Sequence, residues 1–74
     1  MDNYHITATD SGWELRKEGA SRASKSAASK DEIMQVAAAF LDGKTASLKI
    51  HKKDGTLQEE RTYPRSADPR RSEG

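Results

Sequence analysis

The segment that decides the fold is SKDEIMQVAAAFLDG, residues 29–43. Ser29 and Glu32 form a capping box, in which each side chain accepts a hydrogen bond from the backbone amide of the other residue. The apolar residues that follow recur at helical spacing and form one continuous stripe: Ile33, Val36, Ala37, Phe40 and Leu41. Gly43 suits a left-handed helix end. The segment therefore predicts an amphipathic helix from about Lys30 to Asp42, which at this length needs a sheet to pack on.

Before the helix, two alternating segments predict a β-hairpin. Apolar residues alternate with polar ones over residues 4–9 and again over residues 13–18, around a turn at Asp10-Ser11-Gly12. Because successive side chains of a strand point to opposite faces, only a loop of even length puts both apolar sets on one side. We therefore predict a loop of two or four residues.

After the helix, residues 46–53 and 56–63 alternate in the same way around Asp54-Gly55. Asp-Gly between two such segments is typical of a two-residue type I′ turn. If Lys53 pairs with Thr56, the remaining cross-strand pairs are Lys52–Leu57, His51–Gln58, Ile50–Glu59, Lys49–Glu60, Leu48–Arg61 and Ala46–Tyr63. This register predicts an apolar face that includes Leu57, and a polar face on which Lys49 and Glu60 attract each other.

The segment between the first hairpin and the helix, residues 19–28, is rich in small residues and leaves two interpretations open. It is either a flexible linker or a short edge strand with Ala23 and Ala27 facing inward.

These segments predict an α+β domain over residues 1–63, built as hairpin, helix and hairpin, with one helix on one face of an antiparallel sheet of four or five strands. The expected core residues are Tyr4, Ile6, Trp13, Leu15, Ile33, Val36, Ala37, Phe40, Leu41, Leu48, Ile50 and Leu57. The tail, residues 64–74, has no apolar periodicity and is expected to be mobile. Unpaired sheet edges leave a homodimer through those edges open.

Composition restricts the function further. A chain of 74 residues, 32% hydrophobic and 34% charged, allows one small domain and no second core. With no cysteine, it has no disulfide, thiolate metal site or thiol nucleophile. No apolar run reaches the roughly 18–20 residues that span a bilayer, so we expect a cytoplasmic protein without a membrane partner. The net charge of +1 lacks the basic excess of a dedicated nucleic-acid binder.

Several short stretches together resemble the small bacterial proteins grouped as domain of unknown function 2188. They are Tyr4 to Ile6, Gly12-Trp13, Lys17 to Ala23, Lys30 to Glu32, His51 to Gly55, and Tyr63 with Asp68-Pro69-Arg70. The resemblance covers nearly the whole chain and implies a compact hairpin, helix, hairpin protein of bacterial or phage origin. It implies no activity. The chain departs from the family pattern in its Ser/Ala-rich stretch, residues 24–29.

No catalytic residue, metal ligand or cofactor is predicted. His5 and His51 fall on polar faces of predicted strands, with no second histidine or carboxylate cluster at metal-ligand spacing. A hydrolase that used either one would require the two histidines to converge. Glu59 and Glu60 are adjacent on a strand and point to opposite faces, so they cannot act as a paired acid and base.

Basic residues concentrate around the second and fourth strands. If they share a sheet face, they form a patch able to contact phosphates, made of Arg16, Lys49, His51 and Lys53 with Arg22 and Lys25 nearby. The plainer interpretation is a solvated face whose lysines protect an edge from aggregation, since Glu14 and Glu60 dilute its charge. Trp13 is expected in the core rather than as a platform for stacking bases.

Two non-enzymatic functions follow. The first is a nucleic-acid-binding module that uses the basic face. The second is a protein-binding adaptor or inhibitor that acts through a sheet edge or through the arginines of the tail, Arg65, Arg70 and Arg71.

Overall fold

The computed structural model describes residues 2–63 and forms five strands and one helix within them. The elements in chain order are β1 (Asp2–Thr9), β2 (Gly12–Lys17), β3 (Lys25–Ala27), α1 (Lys30–Leu41), β4 (Ala46–His51) and β5 (Leu57–Tyr63). Both predicted hairpins and the helix are confirmed, and the open segment before the helix contains a short strand. The tail at residues 64–74, with its three arginines, lies outside the described residues.

The sheet is mixed, so the prediction of a purely antiparallel sheet is wrong. Its strand order is β3-β2-β1-β4-β5, and the central strands β1 and β4 are parallel. The physical reason is β3, which reverses the chain once more before the helix. The helix then returns the chain over the sheet, so β4 runs in the direction of β3 and therefore of β1.

Helix α1 begins as predicted at its serine cap. Ser29 is extended, and its hydroxyl accepts a hydrogen bond from the Glu32 amide over 3.2 Å. The helix ends at Leu41, one residue earlier than predicted, and Gly43 takes the expected left-handed conformation at φ +82°. The apolar stripe faces the sheet, where Ile33 and Leu41 are fully buried.

The core lies between α1 and one face of the sheet. Its buried members are Tyr4, Ile6, Leu15, Ile33, Ala37, Leu41, Ala46, Leu48, Ile50 and Tyr63. Three residues expected in the core, Trp13, Val36 and Phe40, are half-buried and pack against it. The Phe40 ring meets Tyr4 edge-on, with ring centroids 5.7 Å apart.

The first hairpin has the even loop that the alternation required. Thr9 pairs with Gly12, so only two residues form the loop, and Ala8 lies opposite Trp13 on the helix side. Gly12 has φ +152°, and a Cβ atom added there would lie 2.4 Å from the carbonyl oxygen of Ala27. The close approach of β3 to β2 therefore requires a glycine at this position.

The second hairpin differs from its prediction at the turn. Gly55 alone has positive φ, whereas a type I′ turn needs two such residues. Lys52 instead donates to the carbonyl of Thr56 over 2.7 Å, which leaves a three-residue loop. The pairs from Ile50–Glu59 to Ala46–Tyr63 are as predicted, but a bulge between Ile50 and His51 sets His51 opposite Leu57.

The predicted pairs Lys53–Thr56, Lys52–Leu57 and His51–Gln58 are therefore wrong, and so is the core position of Leu57. The bulge turns Leu57 to the face that carries His51, and 52% of Leu57 stays exposed. Asp-Gly suits both turn types, so the sequence alone does not distinguish the two registers.

Candidate binding face of the sheet

The side of the sheet away from α1, here called the outer face, carries the polar half of each strand. Cross-strand partners share a face, so the pairing assigns its members: Asn3, His5, Thr7, Glu14, Arg16, Ser26, Ser47, Lys49, His51, Leu57, Glu60 and Thr62. Ser47 is buried, and its hydroxyl donates to the Glu60 carboxylate over 2.7 Å. Within residues 2–63 no helix covers this face, so in the described part of the chain it is the accessible side of the sheet.

The outer face gathers three of the six predicted basic residues, namely Arg16, Lys49 and His51. The other three are elsewhere. Lys25 lies on the helix side, with its ammonium 6.0 Å from the centre of the Phe40 ring. Arg22 follows β2 in the link to β3, and Lys53 lies in the turn between β4 and β5. Of the four residues expected on one face, Lys53 therefore lies in the turn instead, and Lys25, expected nearby, lies on the opposite side of the sheet.

The two permanent cations of this group are paired with carboxylates. Arg16 donates from Nε to Oε2 of Glu14 over 2.9 Å, because residues two apart on a strand share a face. The Lys49 ammonium lies 3.7 Å from Oε2 of Glu60 across the strands, which confirms that predicted pair. The outer face is therefore mixed in charge rather than basic.

The two histidines, which have no metal-ligand spacing in the sequence, meet on the outer face, so the convergence that a hydrolase would require is present. Nδ1 of His5 lies 2.9 Å from Nε2 of His51, and the rings stack at 29° with centroids 5.2 Å apart. The parallel register aligns Ile6 with Ile50, which makes His5 and His51 diagonal neighbours on adjacent strands. An antiparallel central pair would not have produced this register, which is why sequence reasoning missed the contact.

Each histidine also has a partner at its other ring nitrogen. Nε2 of His5 lies 2.9 Å from Oε1 of Glu18, and Nδ1 of His51 lies 3.0 Å from the carbonyl oxygen of Gly55. Glu18 is held just beyond β2 because its amide donates to the Asn3 carbonyl over 2.8 Å. The result is a continuous polar chain from Glu18 through both rings to the β4–β5 turn.

Two charged groups near the second hairpin have shifted pKa values. The pKa of Asp54 is lowered because the Thr56 backbone amide and hydroxyl both donate to its carboxylate. The pKa of Arg61 is raised because its guanidinium donates to Glu59 over 2.8 Å. In both cases the hydrogen bonds stabilise the charged form of the group.

Trp13 has the structural role that its spacing predicted. It packs against the core from the helix side, and the Lys30 ammonium lies 5.4 Å from the centre of its ring. An indole held between the core and this lysine is not displayed on the outer face.

Comparisons with known proteins identify the family of the chain and nothing more specific. A family described as "Uncharacterized protein conserved in bacteria" matches residues 4–63. No curated protein and no solved structure matches the chain. Within residues 2–63, no helix is long and apolar enough to cross a membrane. The match reaches from β1 to the end of β5 and includes the helix, and the chain belongs to this bacterial family, domain of unknown function 2188.

Proposed function

We propose that this domain is a non-enzymatic binding module that recognises an extended segment of another protein, added as a strand at the β5 edge of the sheet. One observation carries the proposal. Leu57 is the single large apolar side chain exposed among residues 2–63, and it begins β5, one of the two edge strands. An exposed apolar side chain on an edge strand supplies an anchor beside the backbone donors and acceptors of that edge.

The β5 edge is better suited to strand addition than the β3 edge. Strand β5 has seven residues, Leu57–Tyr63, whereas β3 has three. Within the described residues, β5 pairs only with β4. Backbone hydrogen bonds give strand addition its affinity and alternate side chains give it specificity, so the longer edge offers more of both.

The side chains of β5 indicate the chemistry of the partner. Leu57 favours an apolar residue in the partner segment, at the position that lies beside the start of β5. The charged residues at its centre are already engaged, since Glu59 binds Arg61 and Glu60 binds Lys49. A partner segment therefore gains little from its own charges at the centre, and its binding is expected to tolerate salt.

The nucleic-acid alternative has less support. Phosphate binding draws on free cations, and both Arg16 and Lys49 are paired with carboxylates on the outer face. A role for Arg16, Arg22, Lys25, Lys49, His51 and Lys53 in contacting nucleic acid stays a prediction, as does a partner-binding role for the tail arginines.

The test uses the full chain and two defined probes. The first is a set of peptides selected from a random display library against the immobilised domain, and the second is a short mixed-sequence DNA duplex. Each is titrated at low and high salt while backbone amide resonances are recorded. We expect selected peptides to shift the amides of residues 57–63 at both salt concentrations, and the duplex to shift none.

Leu57→Asp should weaken peptide binding by about tenfold or more. Gln35→Asp is the matched control, since it adds the same charge at an exposed position of α1 and should leave binding unchanged. Three results contradict the proposal: duplex binding that fades steeply with salt, selected peptides that shift other residues, and a dimer of this chain that occupies the β5 edge.

A further inference from the structure

The contact between His5 and His51 restricts which of their ring nitrogens carry hydrogens. The Glu18 carboxylate and the Gly55 carbonyl can only accept hydrogen bonds. Nε2 of His5 and Nδ1 of His51 therefore carry hydrogens and donate to them. In neutral rings the remaining nitrogens, Nδ1 of His5 and Nε2 of His51, then hold lone pairs, and these face each other across 2.9 Å.

Two lone pairs at this distance repel unless a positive charge lies between them. A shared proton meets this need, and so does a metal ion that both nitrogens ligate. The surrounding charges accept a cation, because the carboxylates of Glu14, Glu18 and Glu60 outnumber the paired cations Arg16 and Lys49. The site is therefore arranged for a cation.

We propose that His5 and His51 form a two-histidine site for a divalent transition-metal ion. Histidines that bind metals almost always donate their other ring N–H to a carboxylate or a backbone carbonyl, which fixes the ring and its tautomer. Both histidines here have such a partner, Glu18 for His5 and the Gly55 carbonyl for His51. The pair therefore has the second layer of contacts that metal sites require.

The spacing of the two nitrogens indicates which ions fit. With metal–nitrogen bonds of about 2.0–2.1 Å, ligands at a right angle stand about 2.9 Å apart, and ligands at a tetrahedral angle about 3.4 Å apart. The observed 2.9 Å therefore suits the tetragonal geometry of Cu²⁺ and Ni²⁺. Zn²⁺, with its tetrahedral angle, would require the two nitrogens to stand farther apart.

Residues 2–63 supply two ligands to this site. Among residues 2–63 there is no group of three or more His, Asp or Glu side chains placed to hold one ion. Water therefore completes the coordination, and we expect micromolar rather than nanomolar affinity. Affinity should follow the order Cu²⁺ above Ni²⁺, with Zn²⁺ below Cu²⁺.

The experiment titrates the full, tag-free and chelator-treated chain with Cu²⁺, Ni²⁺ and Zn²⁺ by calorimetry near neutral pH. We expect one ion per chain and a loss of affinity of about tenfold or more in His5→Gln and in His51→Gln, since each removes one of two ligands. A variant that carries both substitutions reports any binding by the terminal amine. Amide spectra of each variant check the fold.

Glu18→Gln should weaken metal binding by about tenfold. This is the lower end of the effect expected for a residue that hydrogen-bonds a metal ligand, because Glu18 is exposed. Glu60→Gln is the matched control, since it removes the same charge from the same face without touching a histidine. A second readout needs no variant, because bound Cu²⁺ should broaden the ring resonances of His5 and His51 first.

Binding that persists unchanged in His51→Gln would overturn the proposal. So would a pair that shares a proton in long-range proton–nitrogen spectra and binds none of the three ions. If Glu18→Gln weakens metal binding no more than Glu60→Gln does, Glu18 does not support His5 as a metal ligand. The proposal is independent of the β5 edge, so failure of either proposal leaves the other intact.

Discussion

The two faces of this sheet are stabilised by different kinds of contact. The face beneath α1 is closed by apolar side chains such as Ile6, Leu15 and Ile50, all fully buried. The outer face is joined by polar contacts between neighbouring strands, above all the chain from Glu18 through His5 and His51. Burial supplies most of the stability of a small domain, which leaves the outer face free to bind other molecules.

Replacing a leucine by alanine on each face should give the largest difference in the free energy of unfolding. Leu15→Ala empties a fully buried site and should lower the free energy of unfolding by about 2–5 kcal/mol, from lost burial and the cavity that remains. Leu57→Ala on the outer face, at 52% exposure, should cost well under about 1 kcal/mol. Urea unfolding followed by tryptophan fluorescence measures both. Equal losses would mean that the two faces do not differ in this way.

The junction of β2 with β3 should give the next largest effect. Gly12→Ala sets a Cβ atom against the Ala27 carbonyl and should cost about 1–3 kcal/mol through strain or displacement of β3. Gly19→Ala, also at positive φ but with nothing within 4 Å, is the control and should cost about 1 kcal/mol. Hydrogen exchange should rise at residues 25–27 in the first variant. If Gly19→Ala is the more harmful substitution, the close approach is not what restricts Gly12.

The ion pairs of the outer face should contribute much less. A double-mutant cycle with Glu14→Ala and Arg16→Ala should give a coupling free energy of about 0.2–1 kcal/mol, because water screens the attraction between charges at the surface. The Arg16 side chain is 36% exposed, and about 1 M salt should reduce the coupling further. Urea unfolding of the four proteins measures it. A coupling as large as the Leu15→Ala effect would contradict the contrast between the faces.

The smallest effect is expected at the β4–β5 turn. The pKa of Asp54 is lowered in the fold by its contacts with Thr56. Its contribution to stability is therefore full above the unfolded pKa and is lost as pH falls through the lower folded value. The difference in urea midpoint between the wild-type chain and Asp54→Ala should shrink over that acidic range. A difference that stays constant would show that the charge of Asp54 does not matter.

The helix side was largely predictable from sequence, for a physical reason. The stripe from Ile33 to Leu41 and the alternation of β1, β2 and β4 reflect burial, which leaves a periodic pattern. Leu57 was misplaced because a single bulge reverses the face of a residue without changing the composition of the strand. The family match over residues 4–63 confirmed the resemblance seen in the sequence.

The candidate site was far less predictable. Its histidines come from strands separated by the helix, and they meet because β1 and β4 are parallel neighbours in the sheet. The chain reversal that precedes the helix is a three-residue strand, Lys25–Ala27, which has no strong pattern in the sequence. The charges of Arg16 and Lys49 were visible in the sequence, but the pairing of Arg16 with Glu14 depends on contacts that spacing alone does not establish.

The most direct test of this account is a measurement of nuclear Overhauser effects between the rings of His5 and His51 in the metal-free protein. With ring centroids 5.2 Å apart, ring-to-ring cross-peaks should appear, together with interstrand contacts in the parallel register that aligns Ile6 with Ile50. Clear ring resonances without a cross-peak, or contacts that set β4 antiparallel to β1, would contradict it.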